Sequence, residues 1–188
     1  MFYALELYAD FTGGIDITIG VAQTFGVTVA ENFNRPFFSK CIKEYWNRWH
    51  MTMGSWFTDY IFYPISVCKP MLKFSKFARA HFGETIGKRM PVYLSSFAVW
   101  LATGIWHGAG WNFLLWGLWF AFALMLEKLF LGKVLSWLPR AVGMVYTLLA
   151  ALAGWVLFAL ETPEGILGYF KAMGGAGGVL DDTFLYLG

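Results

Sequence analysis

The sequence predicts an all-α, polytopic transmembrane protein with short re-entrant or amphipathic helices. Three observations carry that prediction. Residues 90–126 contain no Asp, Glu, Lys or Arg, and an apolar run of that length reads as membrane-embedded. Hydrophobic residues make up 58% of the 188 and charged residues only 14%, whereas a soluble domain carries about a quarter charged residues. The chain also holds 10 Trp and 9 Tyr, rings that suit the two membrane interfaces because an apolar body carries a polar tip there.

Taken in order, residues 1–30 are apolar and punctuated by glycine, with acids at Glu6, Asp10 and Asp16. The stretch 16–29 is too short to cross a hydrocarbon core of about 30 Å at about 1.5 Å per residue. It reads as half of a bent or re-entrant segment, broken at Gly13-Gly14. Asn34-Arg35-Pro36 opens the next block, with Pro36 suited to a first helical turn. Over 37–50, Lys40, Lys43, Glu44 and Arg48 fall on one helical face and Phe37, Cys41, Tyr45 and Trp49 on another, the pattern of an interfacial amphipathic helix. An aromatic segment with Asp59 follows, ended by Pro64 and Pro70.

Residues 69–89 are strongly basic, with Lys69, Lys73, Lys76, Arg79, Lys88 and Arg89 against Glu84 alone. Such an excess beside membrane segments predicts the cytoplasmic side. It suits anionic headgroups, the phosphates of coenzyme A or an acidic carrier protein. Spans are expected at 91–106, 111–130 and 141–160, the last with a small-residue face of Ala150, Ala151, Ala153 and Gly154. The glycine-rich stretch Gly174-Gly175-Ala176-Gly177-Gly178 follows no strand and reads as a turn.

Several classes are excluded. A net charge of +2 gives no electrostatic footprint for nucleic acid. Cys41 and Cys68 supply neither a disulfide framework nor metal spacing. No glycine-rich phosphate loop of the Walker type is present.

Chemistry gathers around Trp106-His107-Gly108. An ionisable residue at membrane depth is costly and marks function by default, and imidazole exchanges a proton near neutral pH. His107 reads either as a general base or as a packing histidine that bonds a neighbouring helix. As a base it would take the proton of a hydroxyl attacking an acyl carbonyl, in a low-dielectric site walled by Trp106 and Trp111. Asn112 reads as a substrate or oxyanion ligand, or as an interhelical hydrogen bond. Asp10, Asp16 and Asp59 read as orienting or tunnel-lining acids, with Asp59 alternatively paired to Arg48.

Four motifs carry a family resemblance. They are Tyr8-Ala9-Asp10-Phe11-Thr12-Gly13-Gly14-Ile15-Asp16, Glu31-Asn32-Phe33-Asn34-Arg35-Pro36-Phe37, the segment from Glu44-Tyr45-Trp46-Asn47-Arg48-Trp49-His50 to Asp59-Tyr60, and Trp106-His107-Gly108-Ala109-Gly110-Trp111-Asn112-Phe113. Their order and spacing resemble the membrane-bound O-acyltransferase family, in its bacterial branch of alginate O-acetyltransferases and D-alanyl transfer proteins. The resemblance covers about residues 8–174. It implies that residues 1–188 are part of a single domain of a larger protein whose N-terminal spans precede residue 1.

The resemblance also implies a function. It assigns His107 and His50 as catalytic, with Asn112, Trp106, Asp59 and Arg48 contacting substrate and no metal. The donor would be acetyl-CoA or another acyl-carrier thioester, with no bound cofactor. The acceptor would be a polysaccharide hydroxyl or a periplasmic or extracellular acyl-transfer partner, reached from a bacterial plasma membrane by a multi-pass protein. D-alanyl transfer toward teichoic acid is the near alternative, and a fragment of a transporter or channel the alternative of another class. After Asp59-Tyr60 the family pattern continues as Pro-Leu and a glycine-containing loop, but this chain reads Pro64-Ile65-Ser66-Val67-Cys68-Lys69-Pro70. That departure bears on the acceptor.

Overall fold

A computed structural model of the chain describes residues 2–175; the glycine-rich turn expected over 174–178 therefore lies outside the described residues beyond Gly175. The described residues form ten α-helices and no strand: α1 (Phe2–Thr24), α2 (Ile42–Trp46), α3 (Met51–Phe57), α4 (Tyr63–Val67), α5 (Lys69–Phe82), α6 (Glu84–His107), α7 (Trp111–Leu126), α8 (Gly132–Trp137), α9 (Arg140–Ala159) and α10 (Pro163–Met173). One π turn (Thr58–Phe62) joins α3 to α4 and another (Glu127–Leu131) joins α7 to α8. Among the described residues, two helical segments are long and apolar enough to cross a membrane, Trp111–Trp137 and Arg140–Ala159.

The remaining expected span lies inside a longer helix. Residues 91–106 belong to α6, which begins at Glu84 and so also carries Lys88 and Arg89. Ser95, Ser96 and Thr103 dilute its hydropathy, and it is not one of the two apolar segments. Pro91 lies inside this helix, where it cannot donate to the carbonyl four residues back. That carbonyl belongs to Gly87, and the buried hydroxyl of Ser75 on α5 donates to it at 2.9 Å. Gly87 also permits the close crossing, because a Cβ there would land on Arg79.

The expected break at Gly13-Gly14 does not occur: α1 runs unbroken for 23 residues. Glycine lowers helix propensity by about 1 kcal/mol without forbidding the conformation, and the Thr18 hydroxyl donates to the Gly14 carbonyl across this turn. Conversely, the continuous helix expected over 37–50 is broken into a 3-10 turn (Pro36–Phe38), the five-residue α2 and an extended link. Ser39 and Cys41 are both extended. The link closes with an isolated antiparallel bridge between Phe33 and Trp49.

Helix α2 is held from a distance. The buried carboxylate of Glu127, just past the end of α7, accepts the backbone N–H of Ile42 at 2.6 Å and of Lys43 at 3.0 Å. These are N–H groups that a helix start leaves without intrahelical partners, and an anion there also meets the positive end of the helix dipole. The Cys41 sulfur accepts from the Glu44 N–H at the same end.

The core is aromatic. Tyr45, Trp49, Trp100, Trp116, Phe120 and Trp155 are all buried, and Trp46 meets Trp100, Trp116 and Phe120 edge to face at 4.8–5.7 Å. Offset and edge-to-face pairs of this kind contribute about 0.5–1.5 kcal/mol each beyond the buried area. The Trp155 indole donates to the Tyr45 hydroxyl at 3.1 Å, fixing α9 to α2. Around this core the exterior exposes large apolar side chains on every long helix, among them Ile17, Phe77, Ile105, Trp111 and Leu149.

Candidate functional site

His107 is the last residue of α6. The helix stops there because Gly108 follows with φ 150°, a conformation open to glycine and costly for residues with a Cβ. The imidazole is half-buried, stacked on Phe113 at 6.2 Å and met edge-on by Trp116 at 4.8 Å and Phe158 at 5.1 Å. Among the described residues no group hydrogen-bonds its nitrogens. The wall is therefore Trp106, Phe113, Trp116 and Phe158; Trp111, expected as a wall, is 72% exposed and faces outward.

His50 is reached through a different piece of backbone. It adopts the left-handed conformation, φ 46° and ψ 56°, which is uncommon for a non-glycine residue and costs energy that its surroundings must offset. Three backbone features hold it. Asn34 N–H donates to the Arg48 carbonyl at 2.9 Å, Met51 N–H donates to the Asn32 carbonyl at 3.1 Å, and Phe33 bridges Trp49 between them. The ring packs edge-on against Phe11 of α1 at 4.6 Å. Its Nδ1 lies 3.0 Å from the Asn32 side-chain oxygen.

The two histidine motifs border one groove. His50 and Trp106, the neighbour of His107, line one open groove of about 400 Å³ together with Thr52, Met53, Trp56 and Phe57. Burial pushes the His50 imidazole below its ordinary pKa, so its neutral form is favoured.

The other residues proposed as site members are placed differently. Asn112 is buried, and its amide donates to the Phe158 carbonyl at 2.8 Å, tying α7 to the end of α9. Arg48 pairs with Glu44 at 2.6 Å rather than with Asp59. Glu44 sits four residues earlier, one helical turn away, whereas Asp59 lies beyond the bend at His50. Asp59 is exposed and has no ion pair among the described residues. Asp10 and Asp16 are exposed on α1. Trp106 is exposed and forms one side of the groove.

All four motifs thus converge. Tyr8 of the first packs on Phe33 and Phe37 of the second and on Trp49 of the third, at 5.4–5.8 Å. Trp46 of the third reaches Trp116, which touches His107 of the fourth. The sequence is similar to those of known proteins. The chain is 30% identical to the probable alginate O-acetylase AlgI of Azotobacter vinelandii over 171 residues, 91% of this chain and 31% of that protein. It is 29% identical to the peptidoglycan O-acetyltransferase of Helicobacter pylori over 180 residues, covering 94% and 31% respectively. It is 34% identical to the teichoic acid D-alanyltransferase of Bacillus subtilis over 140 residues, covering 73% and 33%. Its homologues belong to the membrane-bound O-acyltransferase family.

No family model matches the chain. The chain spans about a third of the length of these membrane-bound O-acyltransferase relatives. Two residues that sequence reasoning left aside stand next to His50, Asn32 and Thr52. Their signal was present, since Asn32 lies inside the second motif and Thr52 two residues past His50. Nothing in the spacing linked them, because their contact depends on the antiparallel return of 32–34 along 48–52.

Proposed function

We propose that the chain forms part of a membrane O-acyltransferase that moves an acyl group, acetyl in the first instance, from a thioester donor to a hydroxyl of a cell-surface polysaccharide. The observation that supports this is the groove lined by His50 and by Trp106, the neighbour of His107, which brings two distant motifs to one largely apolar opening. In the proposed step the hydroxyl oxygen attacks the thioester carbonyl carbon while His107 takes the hydroxyl proton. The C–S bond then breaks, and the proton passes to the departing thiolate. A positioned base of this kind contributes about 10²–10⁴ in rate. The aromatic rings packed around His107 lower the local dielectric. The donor is acetyl-CoA or an acyl carrier protein, and the protein resides as a multi-pass protein in a bacterial plasma membrane.

D-alanyl transfer toward teichoic acid is the second reading, favoured by the Bacillus subtilis relative. The relatives' names support transfer over transport. The test is acylation by membranes carrying the whole protein and its His107→Ala variant, offered acetyl and D-alanyl donors. Loss of transfer in the variant, at unchanged membrane abundance, is expected. Transfer at the unaltered rate would end the assignment of His107.

A further inference from the structure

The side chain of Asn32 is 4% exposed and every one of its hydrogen-bonding atoms is engaged. Its orientation follows from the backbone alone. The oxygen faces the Thr52 N–H at 3.2 Å, which can only donate, and the amide nitrogen faces the Ala30 carbonyl at 3.3 Å, which can only accept. Turning the amide over would set donor against donor and acceptor against acceptor. The Thr52 hydroxyl also donates to the oxygen, at 2.7 Å.

His50 Nδ1 lies 3.0 Å from that same oxygen. An amide oxygen offers only lone pairs, so Nδ1 must carry the hydrogen. A neutral imidazole protonated at Nδ1 has a bare lone pair at Nε2. Nε2 has no hydrogen-bond partner among the described residues, and the ring lines the groove shared with Trp106. The surrounding groups leave this tautomer undisturbed: Phe11, Met53, Trp56, Phe57 and Trp106 carry no charge.

We infer that Asn32 is a positioning residue for acyl transfer: it fixes His50 in the Nδ1–H tautomer, so that Nε2 accepts a hydrogen bond from the substrate in the groove and holds it while His107 takes the attacking hydroxyl's proton. The inference rests on the acyl-transfer reading above and deepens it. It gives His50 a role distinct from packing, and it explains why a left-handed residue is tolerated there. The bend at His50 brings Nδ1 back onto Asn32 while Thr52, two residues on, closes the other side of the same oxygen.

The experiment compares Asn32→Ala, Asn32→Asp and His50→Ala in the whole protein, each normalised to its abundance in the membrane. Asn32→Ala should lower transfer by about 100-fold, the scale of a misplaced substrate. Asn32→Asp should restore most of it, since a carboxylate accepts from the same three donors and lacks only the hydrogen given to Ala30. Nitrogen-15 NMR of histidine-labelled protein should show His50 protonated at Nδ1, and that signature should be lost in Asn32→Ala. An active Asn32→Ala beside an inactive His50→Ala would overturn the role of Asn32 alone. A resonance showing His50 protonated at Nε2 would do the same. A fully active His50→Ala would overturn the functional reading of His50 itself, whatever tautomer the NMR reports.

Discussion

The hydroxyl of Ser75 donates at 2.9 Å to the carbonyl of Gly87, the carbonyl that Pro91 leaves without its helical partner. A proline four residues along a helix and a serine on the preceding helix thus form one device. It lets α6 carry a proline inside an unbroken 24-residue helix whose last residue is His107. Ser75→Ala would leave a buried carbonyl unpaired, at a cost of about 1–3 kcal/mol. Thermal unfolding in detergent should show a lower midpoint for Ser75→Ala and little change for Ser96→Ala, whose hydroxyl meets only the exposed Lys128 ammonium. Equal midpoints would mean that the Gly87 carbonyl does not depend on Ser75.

Gly117 sets the distance between α6 and α7. A Cβ there would stand 2.5 Å from the Trp100 carbonyl and 3.3 Å from the Gly104 Cα, so two backbones meet where two glycines face. Gly117→Ala forces the helices apart, a strain of about 1–3 kcal/mol, and shifts the helix that ends in His107. Acyl transfer should fall with it. Gly13→Ala is the control, because nothing lies within 4 Å of the new methyl and alanine favours the helix. If both variants transfer equally well, the α6–α7 contact is not what positions His107.

The acid limb of transfer should lie below the ordinary histidine range. Burial lowers the His50 pKa in the folded protein, so the imidazole stays neutral, and able to accept at Nε2, at pH values where a free histidine is already charged. Stability has a definite sign here. Below about pH 6.5 the unfolded chain binds this proton more readily than the folded one. The folded state therefore loses stability as pH falls from there to the lowered folded pKa, and the loss levels off below it. A rate profile from pH 5 to 8, compared with that of Asn32→Asp, checks the first part. The carboxylate of that variant should raise the His50 pKa and move its acid limb to higher pH. Identical limbs would contradict the assignment.

The basic helix α5 and the start of α6 should face the cytoplasm. Ser75 is unsuitable as a labelling position because it is buried and bonded to Gly87. Lys76, one residue on, is exposed. A single cysteine at Lys76 should resist a membrane-impermeant maleimide added to intact cells and react after permeabilisation. Reaction in intact cells would invert the topology.

The sequence by itself determined the helical, membrane class and the two apolar stretches expected at 111–130 and 141–160, which fall in the long apolar helices. Each depends on composition or on a short pattern, and a run without charge means the same wherever it sits. The shared face of Phe37, Tyr45 and Trp49 was also legible, and their rings cluster as that pattern implies. The tertiary structure decided the rest. Gly13-Gly14 stays helical although glycine favours a break, and 37–50 breaks although its periodicity favours a helix. In the second case the competing partners are remote: Glu127 takes the N–H groups of Ile42 and Lys43 from 85 and 84 residues away, and Phe33 bridges Trp49. Arg48, by contrast, took the local partner Glu44 four residues earlier, and Asn112 made an interhelical bond, to the end of α9, one of its two sequence readings. Hydrogen-bonding groups are satisfied by whatever the fold brings near, and a linear pattern does not encode that neighbourhood. The meeting of His50 with Asn32 on one side and with the Trp106–His107 motif on the other is likewise a property of the packed chain.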